Sequence, residues 1–188
     1  MAVVNMFSSV NVLLYFFLLI GVQAVDFYSF KVTDIEGDMV SLEQYRGKPS
    51  LVVNVASECG YTHNHYEALS QLSKAREIKD HLNILAFPCN QFGFQEPGSN
   101  AQISQFAKQT YNCNFPLFSK IDVIGDNAHP VYKYLAEMSG VSPNWNFWKY
   151  LVNRDGQVVN VWGPQTDVHD LWNDLVSIST RRVSHEDL

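Results

Sequence analysis

Cysteine is scarce in this chain. There are three, Cys59, Cys89 and Cys113, and no two are spaced as C-x-x-C. That spacing removes the usual dithiol-isomerase motif and the usual half of a structural zinc site. The six histidines form no H-E-x-x-H or comparable ligand pattern, so neither a metal nor an organic cofactor is expected. Charged residues make up only 17% of the chain and the net charge is -6. No basic footprint exists for a nucleic acid, and the pair Arg181-Arg182 is too small to make one. Asn-x-Ser/Thr is absent, as are repeats, low-complexity tracts and interdomain linkers. What is present, 188 residues with 46% hydrophobic content, is enough for one globular domain with a sizeable core.

Long apolar runs are also missing, except one. Residues 12–22 are unbroken and apolar but short for a membrane span. Val22-Gln23-Ala24 then places small residues where signal peptidase needs them, so residues 1–24 read as a cleaved signal peptide. No Lys or Arg precedes the run, and the alternative is an uncleaved anchor extended back to Met6. The chain ends in His185-Glu186-Asp187-Leu188, similar to the tetrapeptides that retrieve lumenal proteins, with its two acids in swapped order. Together the two ends predict the endoplasmic reticulum lumen, or secretion as the alternative, with no stable membrane insertion. Residues 25–188 form the predicted mature domain.

Within that domain, two alternating stretches at 27–32 and 38–42 flank Glu36-Gly37 and predict an N-terminal β-hairpin. Residues 51–55 form a core strand. Helical spacing follows over 62–79, with Thr62 as a candidate cap. Residues 83–87 are a second buried strand, stopped by Pro88. The stretch 89–98 is rich in turn formers and amides and reads as a loop. Ser99 or Asn100 starts a helix with Ile103, Phe106, Ala107 and Tyr111 inward. A short strand is expected over 115–121. A helix from Pro130 through Met138 should stop at Gly140. Two strands, 147–153 and 157–162, are joined by an Asp155-Gly156 turn, and a last helix runs over 167–178. Crossover units first and antiparallel strands later predict a thioredoxin-like α/β fold, a central mixed sheet flanked by helices.

The chemistry centres on Cys59, which ends the run Val52-Val53-Asn54-Val55-Ala56-Ser57-Glu58 and precedes Gly60 and a helix. A lone cysteine is more often a buried structural thiol. At a strand tip, however, a thiol meets unpaired backbone N–H groups and the positive end of a helix, both of which stabilise an anion. A thiolate that attacks a peroxide also needs neutral donors. Gln91 and Gln95 in the 89–98 loop, and Trp145 and Asn146 beyond, are the candidates. Of His63 and His65, one could influence the thiol, though a solvated helix start is the simpler reading, and Glu96-Pro97-Gly98 reads most simply as a turn.

Three blocks carry a resemblance. They are Asn54-Val55-Ala56-Ser57-Glu58-Cys59-Gly60, Phe87-Pro88-Cys89-Asn90-Gln91-Phe92-Gly93-Phe94-Gln95-Glu96-Pro97-Gly98, and Trp145-Asn146-Phe147-Trp148-Lys149-Tyr150-Leu151. In order and spacing they resemble the signature blocks of glutathione peroxidases, cysteine type, and with the two termini the endoplasmic-reticulum branch of that family. The resemblance implies a peroxidase with Cys59 as the peroxide-attacking residue and Gln95, Trp145 and Asn146 as its partners. It implies hydroperoxide as substrate, and glutathione or protein thiols such as disulfide isomerases as reductant. Many cysteine-type relatives carry a resolving cysteine where this chain has Lys108. Cys89 is then the first candidate for that role, an external thiol the second and Cys113 the third. The connection 138–145 is short, without the longer insertion of tetrameric relatives, so the resemblance implies a monomer. Two other functions stay open: a peroxide sensor or redox-relay binding protein with incidental turnover, and a general thiol–disulfide oxidoreductase.

Overall fold

The computed structural model describes residues 25–180; the expected signal peptide and the tail at 185–188 lie outside them. The centre is β3, Ser50–Val55, every residue of which is buried. It pairs in parallel with β4, Asn83–Pro88, on one side and antiparallel with β5, Lys149–Val152, on the other. β6, Val158–Trp162, completes the sheet in the order β4-β3-β5-β6. A run with no polar alternation suits a strand covered on both faces. One face of the sheet packs Leu51, Val53 and Val55 under α1 (Thr62–Lys74), α2 (Asn100–Tyr111) and α4 (Trp172–Thr180). The other packs Val52, Leu85 and Phe87 under α3 (Pro130–Ser139) and the N-terminal segment. That segment includes the expected hairpin of β1, Lys31–Thr33, and β2, Met39–Ser41.

The helix starts largely follow the sequence. Ser99 caps α2 in a full capping box with Gln102. Pro130 opens α3 and Gly140 closes it in the left-handed region. Four expectations need correction. The hairpin strands are shorter than the alternation, because Asp26 caps Phe27–Ser29 into a 3-10 turn. α1 stops at Lys74, where Ala75 turns extended, and Ile78 is buried from the connecting turn instead. Thr62 is not the cap of α1; its hydroxyl accepts from the Cys59 N–H (3.0 Å) and donates to the Ala56 carbonyl (2.7 Å). Residues 115–121 make only isolated bridges, Leu117 to Ala86 and Phe118 to Asp34, rather than a strand.

The β5–β6 turn holds the N-terminus down. Gly156, at φ 90°, accepts from the Phe27 N–H (3.0 Å) and the Tyr134 hydroxyl (2.9 Å) through its carbonyl. A Cβ there would lie 2.6 Å from Asp26 Oδ1, the atom that caps the first 3-10 turn and meets Arg46. Gly156→Ala should therefore lose about 2 kcal/mol, a Tm lower by roughly 4–8 °C in thermal unfolding. A variant as stable as the parent would show that Asp26 swings aside freely.

Candidate active site

Cys59 sits in the turn between the buried tip of β3 and the first turn of α1, 8% exposed. The turn is tied internally by the Thr62 hydroxyl, and Thr62 N–H donates back to the Cys59 carbonyl (3.0 Å). It is tied to the 89–98 loop by two rungs. Glu58 N–H donates to the Gln95 carbonyl (3.0 Å), and the Ser57 hydroxyl donates to Glu96 Oε1 (2.6 Å). Gln95 is thus fixed one residue away from the thiol's own backbone. Gly93 at φ 64° and Phe94 at φ 54° bend the loop to bring this about.

Asn146 comes from the third block. Its Nδ2 donates to Gln95 Oε1 (3.0 Å) and reaches the Phe92 carbonyl at 3.4 Å. That bond commits the Gln95 oxygen and leaves its Nε2 hydrogens to donate elsewhere. Trp145, 37% exposed, adjoins Asn146, with its ring 6.3 Å from Phe92. The structure therefore brings Gln95, Asn146 and Trp145 together beside the Cys59 turn. Gln91 faces away; its side chain bonds Val123, Ile124 and Cys89.

Three supports were not read from the sequence as such. Asn54, fully buried at the end of β3, uses all four of its hydrogen-bonding groups on residues 145–148. Its Nδ2 donates to Trp145 O (3.0 Å), Oδ1 accepts from Trp148 N–H (2.9 Å), and its carbonyl accepts from Phe147 N–H (2.7 Å). Its N–H donates to Trp148 O (3.4 Å). Lys149, also buried, donates from Nζ to the carbonyls of Phe147 (2.8 Å) and Gly163 (2.9 Å). Burial pushes its amine down to about 7, against the pull of Asp167. His65 stacks on Phe147 at 4.9 Å and its Nε2–H donates to Pro164 O (2.9 Å). Burial and then Lys149 push it down to about 4, so it is neutral. Of the two histidines, only His63 is exposed at the helix start. His65 shares its helix face with Leu69 and Leu72, a 3.6-residue spacing from which its burial could have been read.

Glu96 is more than a turn residue. It is fully buried, its N–H donates to Asn90 Oδ1 (2.8 Å), and burial raises its carboxyl to about 7 despite the Ser57 bonds. Glu96 Oε2, Asn146 Oδ1, Tyr66 Oη and His65 Nδ1 are buried with no hydrogen-bond partner among the described residues. Unsatisfied polar atoms are rare in folded interiors, and Tyr132 Oη on α3 and Ser179 Oγ on α4 are two more.

The other two thiols lie apart from Cys59. Cys89 follows β4, is fully buried, and packs with Val52, Leu85 and Phe87 on the sheet face opposite the Cys59 cluster. Burial pushes its thiol up to about 11. Cys113 shares the Cys59 cluster but follows α2, where Ser70 in the second half of α1 bonds the Tyr111 and Asn112 carbonyls. Burial pushes it up to about 12, with Lys74 opposing. Ser70 lies about 12 Å along the helix from Thr62 at ~1.5 Å per residue. Lys108, at the place of the usual resolving cysteine, is on α2 and pairs with Glu36 (3.4 Å). All three cysteines are free. Among the described residues no cluster of His, Cys, Asp and Glu could hold a metal ion, and no helix is long and apolar enough to cross a membrane.

Comparison with known proteins agrees with the three blocks. The family model for glutathione peroxidase matches residues 27–136. Human glutathione peroxidase 7 is 54% identical over 169 residues, covering 88% of this chain and 89% of the relative. Probable glutathione peroxidase 8-B of Xenopus laevis is 48% identical over 154 residues, covering 81% and 73%. Among solved structures, Trgpx in its apo form superposes with a TM-score of 0.70 at 34% identity, covering 86% of this chain and all of the other. A thiol:disulfide interchange protein of the thioredoxin family from Chlorobium tepidum, at 15% identity and TM-score 0.58 (82% and 95% covered), shares the fold alone.

The raised Glu96 carboxyl has a definite sign. Between about pH 4.5 and 7 the unfolded chain ionises first, so the folded state loses stability as pH rises. Glu96→Gln keeps the acceptor for Ser57 and removes that loss. Relative to the parent it should gain up to about 3 kcal/mol between pH 4.5 and pH 8 in urea unfolding. Parallel curves across that range would mean that Glu96 ionises as it does in water.

Proposed function

The chain belongs to the glutathione peroxidase family and is a thiol-dependent peroxidase, and we propose that Cys59 is the thiol that attacks the peroxide. The Cys59 thiolate forms an S–O bond as the O–O bond breaks. The departing oxygen takes a proton and leaves as water or an alcohol, and Cys59 is left as a sulfenic acid. Gln95, through its free Nε2 hydrogens, and Trp145 donate hydrogen bonds to the sulfur anion and the bound peroxide, and Asn146 holds Gln95 in place for this. The observation that carries this reading is the Gln95–Asn146 side-chain bond, locked by the Gln95 carbonyl to the backbone of Glu58 beside Cys59.

The reductant is an external thiol. Cys89, on the opposite face, and Cys113, beside the second half of α1, are both buried thiols held protonated, and a disulfide requires Cα atoms within about 7 Å. An incoming thiol condenses with the sulfenic acid, releasing water. A second thiol then reduces the mixed disulfide. Protein thiols of the disulfide-isomerase kind are the proposed donors. The apolar run at 12–22 and the tail at 185–188, both outside the described residues, support an endoplasmic reticulum lumenal location. The short connection after α3 supports a monomer.

Cys59→Ser should abolish peroxide consumption, a loss of at least about a thousandfold; consumption that persists would move the chemistry elsewhere. Intact-mass analysis after one equivalent of peroxide and then glutathione should place the glutathione adduct on Cys59. An internal Cys59–Cys89 or Cys59–Cys113 disulfide in its place would reverse the choice of an external thiol.

A further inference from the structure

Glu96 is a poor choice for the fold. It is fully buried, and above about pH 4.5 it costs stability that a glutamine would spare. A buried acid kept at such a cost beside a reaction centre points towards function. Its backbone is clamped: the N–H donates to Asn90 Oδ1 (2.8 Å) and the carbonyl accepts from Lys120 Nζ (3.0 Å). Its side chain is held on one side only. Oε1 accepts from the hydroxyl of Ser57, two residues before Cys59, and Oε2 has no partner among the described residues. The residue before it is Gln95, whose carbonyl accepts from the Glu58 N–H. Ser57–Glu96 and Glu58–Gln95 are therefore the two rungs between the turn of the attacking thiol and the loop that carries its donor. A cleft of about 360 Å³, lined by Ser57, Glu58, Glu96, Pro97, Gly98 and Phe106 among others, opens beside the first rung and is roomy enough for water.

We infer that Glu96 is a positioning residue for the attack on peroxide: uncharged, it holds Gln95 and the Cys59 turn together, and ionised, it lets them part. The inference rests on the reading of Cys59 as the attacking thiol and adds what keeps its donor in place. As an acid, Glu96 accepts from Ser57 with Oε1 and carries its proton on Oε2, so no charge is buried. As a carboxylate it has a bare anionic oxygen without a donor, and water in the cleft is the relief at hand. Turning towards that water breaks the Ser57 rung and leaves the turn on the Glu58–Gln95 bond alone. Gln95 Nε2 then shifts relative to the sulfur, and a misplacement of about 1 Å can cost on the order of a hundredfold in rate. The groups facing the carboxyl decide when this happens. Burial holds it uncharged up to about 7, against the Ser57 bonds and Lys120, and Glu58 on the Cys59 turn opposes its charge. Tyr66 on α1 and Cys89 after β4 also feel that charge, and burial keeps both protonated. α2 offers the cleft only uncharged side chains, Gln102, Ile103 and Phe106.

The rate constant for oxidation of Cys59 by hydrogen peroxide is measured against pH by alkylation quench and intact mass. The thiolate is counted separately by its ultraviolet absorbance, so that the rate is expressed per thiolate. In the parent this rate should fall about tenfold between about pH 6 and 8, as the uncharged fraction of a group titrating near 7 does. In Glu96→Gln, which keeps the acceptor for Ser57 and cannot ionise, it should change by about twofold at most over the same range. Lys120→Met removes the cation that favours the carboxylate, so the fall should move to higher pH, a shift that a merely structural role would not produce. A flat rate per thiolate in the parent, an equal fall in the glutamine variant, or a fall that stays in place in Lys120→Met overturns the positioning role. So does loss of the parent's near-ultraviolet circular dichroism over the same range, because the whole fold would then be loosening. If the parent shows no oxidation of Cys59 at any pH, the underlying reading fails and the positioning role falls with it.

Discussion

Asn54 is the residue on which the site's geometry depends. It is fully buried in the central strand, yet it is polar, and its amide nitrogen, amide oxygen, N–H and carbonyl each have a partner. A buried amide left half-satisfied costs more than an apolar residue would, so a full set of bonds is the condition for its being there at all. The segment it grips, 145–148, includes Phe147 in the left-handed region at φ 66°. Non-glycine residues persist there only when their surroundings over-determine them. Asn54 grips that segment from the strand, Lys149 Nζ pins the Phe147 carbonyl, and His65 stacks on the ring. The result is an Asn146 side chain held against Gln95, 92 residues away from its anchor in sequence and two hydrogen bonds, through Gln95, from the Cys59 turn in space.

The ionisable groups behind the site follow the same logic. Lys149, His65 and Glu96 are all buried, and burial moves each towards its neutral form. Behind the Cys59 turn, burial thus favours neutral donors and dipoles over full charges. That suits a reaction in which negative charge moves from sulfur to oxygen, because oriented neutral donors can follow the charge without trapping it. The sign of the pH dependence differs among them. Glu96 makes the fold weaker as pH rises from about 4.5 to 7, whereas Lys149 makes it stronger as pH rises from about 7 to 10.5.

The sequence made legible whatever is written in contiguous residues. The buried run 51–55, the Ser99 capping box, Pro130 and Gly140 around α3 and the Asp155-Gly156 turn each state their structure within a few positions. The three blocks made the site readable because each is a local pattern. Less legible was whatever depends on two distant segments meeting. Nothing around Asn54 or Lys149 announces a buried polar brace, since their partners are backbone carbonyls and N–H groups, which every sequence contains. The end of α1 is hidden in the sequence because Ile78 keeps the helical spacing while being buried from a turn. Phe94 lies in a stretch of turn formers and amides, and only the backbone shows that its conformation is one glycine would prefer.

The placement of Cys89 has a kinetic meaning. The sheet stands between its sulfur and the Cys59 side, so Cys89 and Cys59 do not form a private circuit. On the proposal that an external thiol resolves Cys59, its oxidised form is quenched only by collision with something outside. Its lifetime then becomes a clock set by the surroundings: short in a compartment crowded with ready thiols, long in one that is short of them. The protein would register the state of its environment simply by how long it waits.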